Sequence, residues 1–548
     1  MYKPFLRATN VNGFSEIIKT AQAHIESFAT LPEPLHRLDE IFELAEKNHG
    51  LGTEEVASLL AWGRNPDQHE HIHTAARELH GALASNKVEF IIPVYLTSFC
   101  QNECLYCGYR QSNPLAERIR LGVEDFEREL DLILSWGHRQ IELVLSDDPD
   151  FGPEKVAKYV RLTRNKVDAA GGGVVALCSP VYQQDDYSRL REAGLDWVAE
   201  WQETYHRPHF DRWHFSGSPK RHFEFRADIW DRVIAGGISK IALGVLLGLY
   251  DWRYEVLALV EHGSYLRKAY GVEPYALGIP RLKPARGVLA SQKPSRYRVS
   301  DDEFRFVVSI YRLAFPRSRL FFNTRERYEL NLSMVSGGDL FTVDCETLPG
   351  GYLRRHPPGQ FSTHGYPPRR EVVSALKGLN LNTQYLAEET EPPASATETI
   401  HEPKIERERW AQEHGAIRRR LNEWENALSA LATGFGEGPQ GLEAGIESLH
   451  AILGYFKTAV MEHCRKEESA FPQVLSEDAE YARTLQDFFG YHEHLAIDLD
   501  KFERQLASYS LSSDPGALRL LGTRIIRELR EHLDAEDEFQ KHWAQAAV

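Results

Sequence analysis

At 548 residues the chain is longer than one hydrophobic core usually fills, so two or three domains are expected. With 42% hydrophobic, 26% charged and 11% aromatic residues it has ample apolar surface to bury, which excludes wholesale disorder and the collagen-like and low-complexity classes. Its 80 acidic residues against 64 basic give a formal charge of -16, which argues against nucleic acid as a partner, because phosphate contacts need clustered Lys and Arg.

The amino-terminal stretch carries no apolar run suited to a signal peptide, and nothing approaches the roughly 18 uncharged residues that cross a bilayer. A cytoplasmic location with no membrane partner is the expectation. Residues 1–85 alternate charged and apolar positions at helical spacing, as in LHRLDEIFELAEKN and HTAARELHGALAS, and read as a helical extension. VEFIIPVYLTSF is a continuous apolar run with β-branched residues, hence a buried strand ending at Cys100. Beyond it the strand-like runs IELVLS, GGVVALCS, WVAEWQ, KIALGVLLG, YALGIP and RLFFNT alternate with amphipathic segments such as VEDFERELDLILSWG. Repeated βα units predict a parallel sheet of the α/β class, a complete or partial (β/α) barrel of TIM type over residues 86–376. Residues 377–405, with paired Pro, Ser, Thr and Glu, read as a solvated linker, and residues 406–548 as an all-α four-helix bundle.

Six cysteines are too few for a disulfide scaffold, and three of them, Cys100, Cys104 and Cys107, fall within eight residues. Soft thiolates bind zinc or iron-sulfur clusters. A structural zinc would want a fourth Cys or His at short spacing, and none follows, so CxxxCxxC suits a 4Fe-4S cubane with one iron open to an exogenous ligand. The alternatives are a zinc knuckle borrowing a distant histidine, or three incidental thiols.

CxxxCxxC after the first strand of a βα-repeat domain resembles the radical S-adenosylmethionine (SAM) enzymes. VYLTSFCQNECLYCGYRQSN, EWQETYH, GVLLGLYDWRYEVLALVEH, IPRLKPARG, NTRE, LPGGY and the preamble stretch LGTEEVASLL resemble the branch of aromatic-amino-acid lyases that includes the tyrosine lyases of thiamine synthesis and hydrogenase maturation. The resemblance covers roughly residues 35–375 and implies that SAM chelates the open iron and is cleaved, with one electron from a donor such as ferredoxin or flavodoxin, to a 5′-deoxyadenosyl radical that attacks a small amino-acid substrate. It places Tyr106 near the adenine, Ser146, Asp147 and Asp148 at the methionyl amine, and Gly244 and Gly248 where backbone approaches the adenosine. The stretch SDD stands where the family usually has Gly-Glu. An amino-acid carboxylate calls for a guanidinium, Arg325 first and Arg281 second; Tyr95 is placed at the substrate amino group, and Glu203, Tyr205 and His206 at a strand's carboxyl end. The hydrogenase maturase carries a second cysteine triad, and ALKGLNLNTQYLAEE here has none, which leaves hydrogen abstraction and Cα–Cβ or carboxyl fragmentation as the expected chemistry.

In the terminal region Leu449, Leu453, Phe456, Val460, His463 and Glu467 share one helix face, and Leu518, Gly522, Ile525, Leu529, His532 and Glu536 repeat it. His414 and His492 open two further apolar faces at matching offsets. Four histidines and two glutamates converging on one bundle centre need a cation, and imidazole with carboxylate at (i, i+4) is how bundles hold two irons. This pattern resembles the hemerythrin-like (HHE) domain and implies a di-iron centre, although the flanking positions Phe488 and Ala496 lack the fifth histidine of full hemerythrins. The expected function is a radical SAM lyase with a di-iron domain for oxygen or iron sensing or protection. The alternative is an oxygen-, nitric oxide- or iron-responsive sensor on a regulated or degenerate barrel.

Overall fold

The computed structural model describes residues 13–48, 50–113, 115–214, 217–292, 295–353, 359–390, 407–432, 438–464, 479–509 and 515–546. The chain splits into two compact units near residue 398.

The first unit is built on ten strands: β1 (Lys87–Phe90), β2 (Ile92–Thr97), β3 (Gln140–Leu145), β4 (Val174–Cys178), β5 (Trp197–Glu203), β6 (Ile241–Val245), β7 (Ala276–Gly278), β8 (Arg319–Phe322), β9 (Leu340–Phe341) and β10 (Asn382–Gln384). Every pairing between them is parallel, in the order β10-β1-β9-β8-β7-β6-β5-β4-β3-β2. β1 and β2 are two halves of one extended run separated by Ile91. The first half pairs with β9 and β10 and the second with β3, so the sheet returns to its starting strand as a (β/α) barrel. Alternate residues fill the interior: Ile91, Ala176, Trp197, Ala199, Ala242, Ala276, Phe321 and Leu340 form one buried cluster. The intervening residues face the helices and join a larger core. Burial on both faces is why these strands read as unbroken apolar runs.

The helical extension, Phe14–Ala29, Leu38–Asn48, Thr53–Trp62 and His69–Leu83, lies on the barrel's outer helices. Phe14 stacks on His262 with ring centroids 3.7 Å apart, and Ser15 donates from its backbone N and from Oγ to Asp228, each at 2.7 Å. Part of the stretch expected as a linker, residues 382–390, is tied to the first unit by backbone hydrogen bonds. Asn382–Gln384 pair with Lys87–Glu89, Ala387 N donates to Gly137 O at 2.7 Å, and Thr390 N to Ser135 O at 2.7 Å. A polar segment joins a sheet this way through its backbone, without the apolar periodicity that sequence reading relies on.

The described part of the second unit consists of helices Arg407–Ala432, Gly438–Tyr455, Ala479–Ala507 and Gly516–Ala546, the second continuing through a π-helical turn at Phe456–Val460. Its core is the apolar seam read from the sequence, with Leu421, Trp424, Leu453, Phe456, Leu499, Phe502, Ile525 and Leu529 all buried. A Cβ at Gly522 would lie 2.5 Å from Leu428 and 2.9 Å from Phe502, so glycine there lets the helices close.

Candidate active site and metal centre

The cysteine loop begins where β2 ends. Gln101 and Asn102 each donate a side-chain amide to the carboxylate of Asp147, both at 3.0 Å, and Gln101 N donates to Asp147 O at 2.9 Å, so the end of β3 fixes the loop's start. Ser146 Oγ donates to Thr97 O at 2.9 Å and serves the same junction. Further along, Cys104 bridges to His214 and Leu105 N donates to Trp213 O at 3.1 Å. His214 Nδ1 lies 2.8 Å from Phe210 O and must carry the proton, so Nε2 accepts from Tyr106 Oη at 2.8 Å. Burial, with Lys220 nearby, lowers His214 to about 3, which keeps the imidazole neutral for that bond.

Cys100, Cys104 and Cys107 open onto a cavity of about 410 Å³ at the carboxyl ends of the strands. None is in a disulfide, and burial pushes each thiol up to about 11. A single zinc with sulfurs at about 2.3 Å would draw them to about 4 Å apart, whereas a cubane spreads its thiolates around a larger body. Three thiolates of one loop facing a common cavity are a donor set that would suit an iron-sulfur cluster.

Across the cavity stand four charged groups. Lys220 Nζ donates to Glu203 Oε1 at 2.6 Å, and Arg226 pairs with Glu200 and lies 3.8 Å from Glu203. Burial alone would raise Glu203, but Lys220 and Arg226 hold it below the usual carboxylate range. Glu203 has φ 69 and sits where the pairing of β5 with β6 shifts register, a bulge that aims its side chain inward at a backbone cost of about 1–3 kcal/mol. Arg325 completes the wall. Its guanidinium lies 3.4 Å over the Phe361 ring, and no carboxylate pairs with it among the described residues. Tyr95 faces the same space and donates to Gln360 Oε1 at 2.8 Å.

In the helical unit two triads meet at one carboxylate: His414, His463 and Glu536, and His492, His532 and Glu536, the ligand atoms of each within 4.8 Å of one another. Glu536 is fully buried, and among the described residues neither of its oxygens makes a well-aligned hydrogen bond, although His532 Nε2 is 2.9 Å from Oε1 and His414 Nε2 is 3.4 Å from Oε2. The outward nitrogens are held by acids, His414 Nδ1 by Asp537 at 2.6 Å and His463 Nδ1 by Glu413 at 2.8 Å, which turns Nε2 inward as metal-ligating histidines require. Each triad would hold one cation, and Glu536 belongs to both. The expected ligand Glu467 lies outside the described residues.

Residues 94–260 match the radical SAM superfamily, and residues 406–540 the hemerythrin HHE cation binding domain. The 2-iminoacetate synthase of Salmonella typhimurium is 32% identical over 324 residues, covering 58% of this chain and 82% of that protein. The chain belongs to the radical SAM superfamily. Within it, the likeness is to 2-iminoacetate synthases; the Escherichia coli protein of that name is 31% identical over 321 residues, 57% of this chain and 81% of its own. Two structures of HydG, an FeFe-hydrogenase maturase, share the fold. One superposes with TM-score 0.61 at 23% identity over 84% of this chain and 98% of its own, and the other, from Carboxydothermus hydrogenoformans, with 0.61 at 22% over 87% and 100%.

For this radical SAM enzyme the structure sorts the residues singled out by sequence. Cys100, Cys104, Cys107, Tyr95, Tyr106, Ser146, Asp147, Glu203 and Arg325 all line the cavity. Others are engaged elsewhere. Asp148 is clamped by Arg120 at 2.7 and 2.9 Å and by Thr97 Oγ1 at 2.6 Å. Arg281 pairs with Glu326 and with Asp301 at 2.9 Å. Tyr205 is buried against Phe14 and bonds His262 at 2.7 Å, while His206 stacks on Tyr250 at 3.8 Å. Gly244 does not line the cavity; a Cβ there would meet the Trp201 ring at 2.4 Å, so it makes room for an indole that does. Gly248 has φ 114, a conformation that favours glycine. Lys220 and Arg226 were not singled out by sequence, because no spacing pattern ties them to the cysteine loop; Glu200 and Trp201 stand in the stretch EWQETYH without having been assigned a role.

Proposed function

We propose that Cys100, Cys104 and Cys107 hold a 4Fe-4S cluster whose open iron takes SAM, and that the barrel fragments an aromatic amino acid of tyrosine or tryptophan type. The observation that carries this reading is that the cysteine loop shares one cavity with Tyr95 and with Arg325, a half-buried guanidinium that pairs with no carboxylate among the described residues. When bound, cluster and SAM supply a one-electron route to hydrogen-atom abstraction. The chain's own residues position the reactants. Tyr106 presents an aromatic face beside the cluster ligands, the spare lone pairs of Asp147 suit the methionyl amine, and Arg325 offers a planar fork to the substrate carboxylate. Breaking Cα–Cβ of such a substrate leaves a two-carbon imine, 2-iminoacetate, for which the similar synthases are named. The electron comes from a small donor of ferredoxin or flavodoxin type. The helical unit holds two irons on His414, His463, His492, His532 and Glu536, with Glu467 as the further carboxylate, and uses them to sense or remove oxygen or to hold iron; an oxygen-labile cluster in a reducing cytoplasm gives that a purpose.

The test is anaerobic reconstitution with SAM and dithionite, followed by mass spectrometry of products from a panel of aromatic amino acids. Amino-acid-stimulated 5′-deoxyadenosine together with a glyoxylate-type product supports the reading. A cluster that forms without SAM cleavage supports a sensor instead. Arg325→Ala is expected to raise KM for the amino acid by about 10–100-fold, the loss of one charged hydrogen-bonded contact of ~1.5–3 kcal/mol, and to uncouple deoxyadenosine from product. Arg325→Lys should restore binding in part, and an unchanged KM in both variants would remove Arg325 from the site.

A further inference from the structure

At the base of the cavity lies a carboxyl group that the roles above do not use. Glu142 is 5% exposed, lines the cavity from β3, and has neither an ion pair nor a hydrogen bond among the described residues; its Oε1 is fully buried without a partner. Thr342, also on the cavity wall, has a buried Oγ1 in the same condition. Burying an unpaired carboxyl group in a barrel interior costs stability, so a partner that arrives with a ligand is the natural account. Register sets its depth. Pro93 pairs with Glu142 and Tyr95 with Val144, so Glu142 points inward one layer below Tyr95, about 6–7 Å deeper along the strand. The walls between are aromatic, Trp201 and Phe321 with Tyr95 itself. An amino acid whose carboxylate meets Arg325 near the mouth would lay its ring between those walls with the far edge at Glu142.

We infer that Glu142 recognises the hydrogen-bonding group of the substrate's ring, a phenol O–H or an indole N–H, and selects such rings against plain hydrocarbon ones. This rests on the reading of the cavity as an aromatic-amino-acid site and names the group that discriminates among such substrates. Burial raises the Glu142 carboxyl to about 8, so near neutrality it is largely protonated and able to donate and accept, as a phenol does. A site built around a buried polar group rejects the analogue that leaves the group unpaired.

The test is calorimetric binding of L-tyrosine, L-tryptophan, L-phenylalanine and L-lysine to the full-length reconstituted protein with SAM and no reductant, so that nothing turns over. Tyrosine or tryptophan is expected to bind roughly 10- to 100-fold more tightly than phenylalanine. Glu142→Leu should erase that preference by weakening the polar-ring ligand while leaving phenylalanine equal or tighter, and Glu142→Gln, which still donates and accepts, should keep most of it. Equal binding of the polar-ring ligands and phenylalanine by the native protein, which needs no variant, overturns the inference while leaving the site reading intact. So does a preference that survives in Glu142→Leu, or tighter binding of lysine. If none of the aromatic amino acids binds, the reading of the cavity falls and the inference with it.

Discussion

Cys104→Ala is expected to reduce 5′-deoxyadenosine formation from SAM to background under anaerobic, reducing conditions, while leaving iron in the helical unit. Cys104 is the buried member of the trio, 5% exposed, and its backbone bridges to His214, so its sulfur is the one held most firmly by the fold. Two remaining thiolates cannot hold a cubane in the three-ligand arrangement on which the open iron depends. Mössbauer spectra of the enriched protein separate the outcomes: the cluster doublet should vanish and the signal of the helical irons persist. Loss of both signals would show that the two metal sites are not independent, and retained SAM cleavage would remove Cys104 from the ligand set.

Glu536→Ala is expected to take iron in the helical unit from about two ions per chain to near none. Glu536 belongs to both triads, and its carboxylate would offset the charge of cations held among the four converging imidazoles. A histidine in one triad is different: His414→Ala should weaken one ion first. Because metal binds the folded bundle and not the unfolded chain, saturation at 100 times Kd adds about 2.7 kcal/mol of stability. Chelation should therefore lower the native helical unit's Tm and leave that of Glu536→Ala unmoved. Iron content by plasma mass spectrometry and a melt with and without chelator check both parts.

Which of these features could be read from sequence follows from their physics. Strands buried on both faces advertise themselves as apolar runs, and His463, His532 and Glu536 betray a metal seam by sitting at core positions of a helical repeat. β10 does not advertise itself, because Asn382–Gln384 pair through backbone alone. Glu203 ends β5 at a bulge that turns it into the cavity, whereas Tyr205 and His206 lie past the strand's end and pack around Phe14 and Tyr250, a distinction that a motif such as ETYH cannot carry. Lys220 and Arg226 come from a short segment with no pattern of its own, and Asp537 and Glu413 act one layer behind the histidines they orient. Glu142 did leave a trace: a lone acid inside IELVLS, a strand with no solvent face to put it on.

The proposed chemistry hangs on three thiolates leaving one iron open to SAM. Electron paramagnetic resonance of the dithionite-reduced, reconstituted protein tests it most directly, with and without SAM carrying a labelled amino nitrogen. A reduced 4Fe-4S signal is expected, with g values that move on adding SAM and hyperfine coupling to the label. A site filled by zinc, or a cluster signal that SAM leaves unchanged and uncoupled, would contradict it.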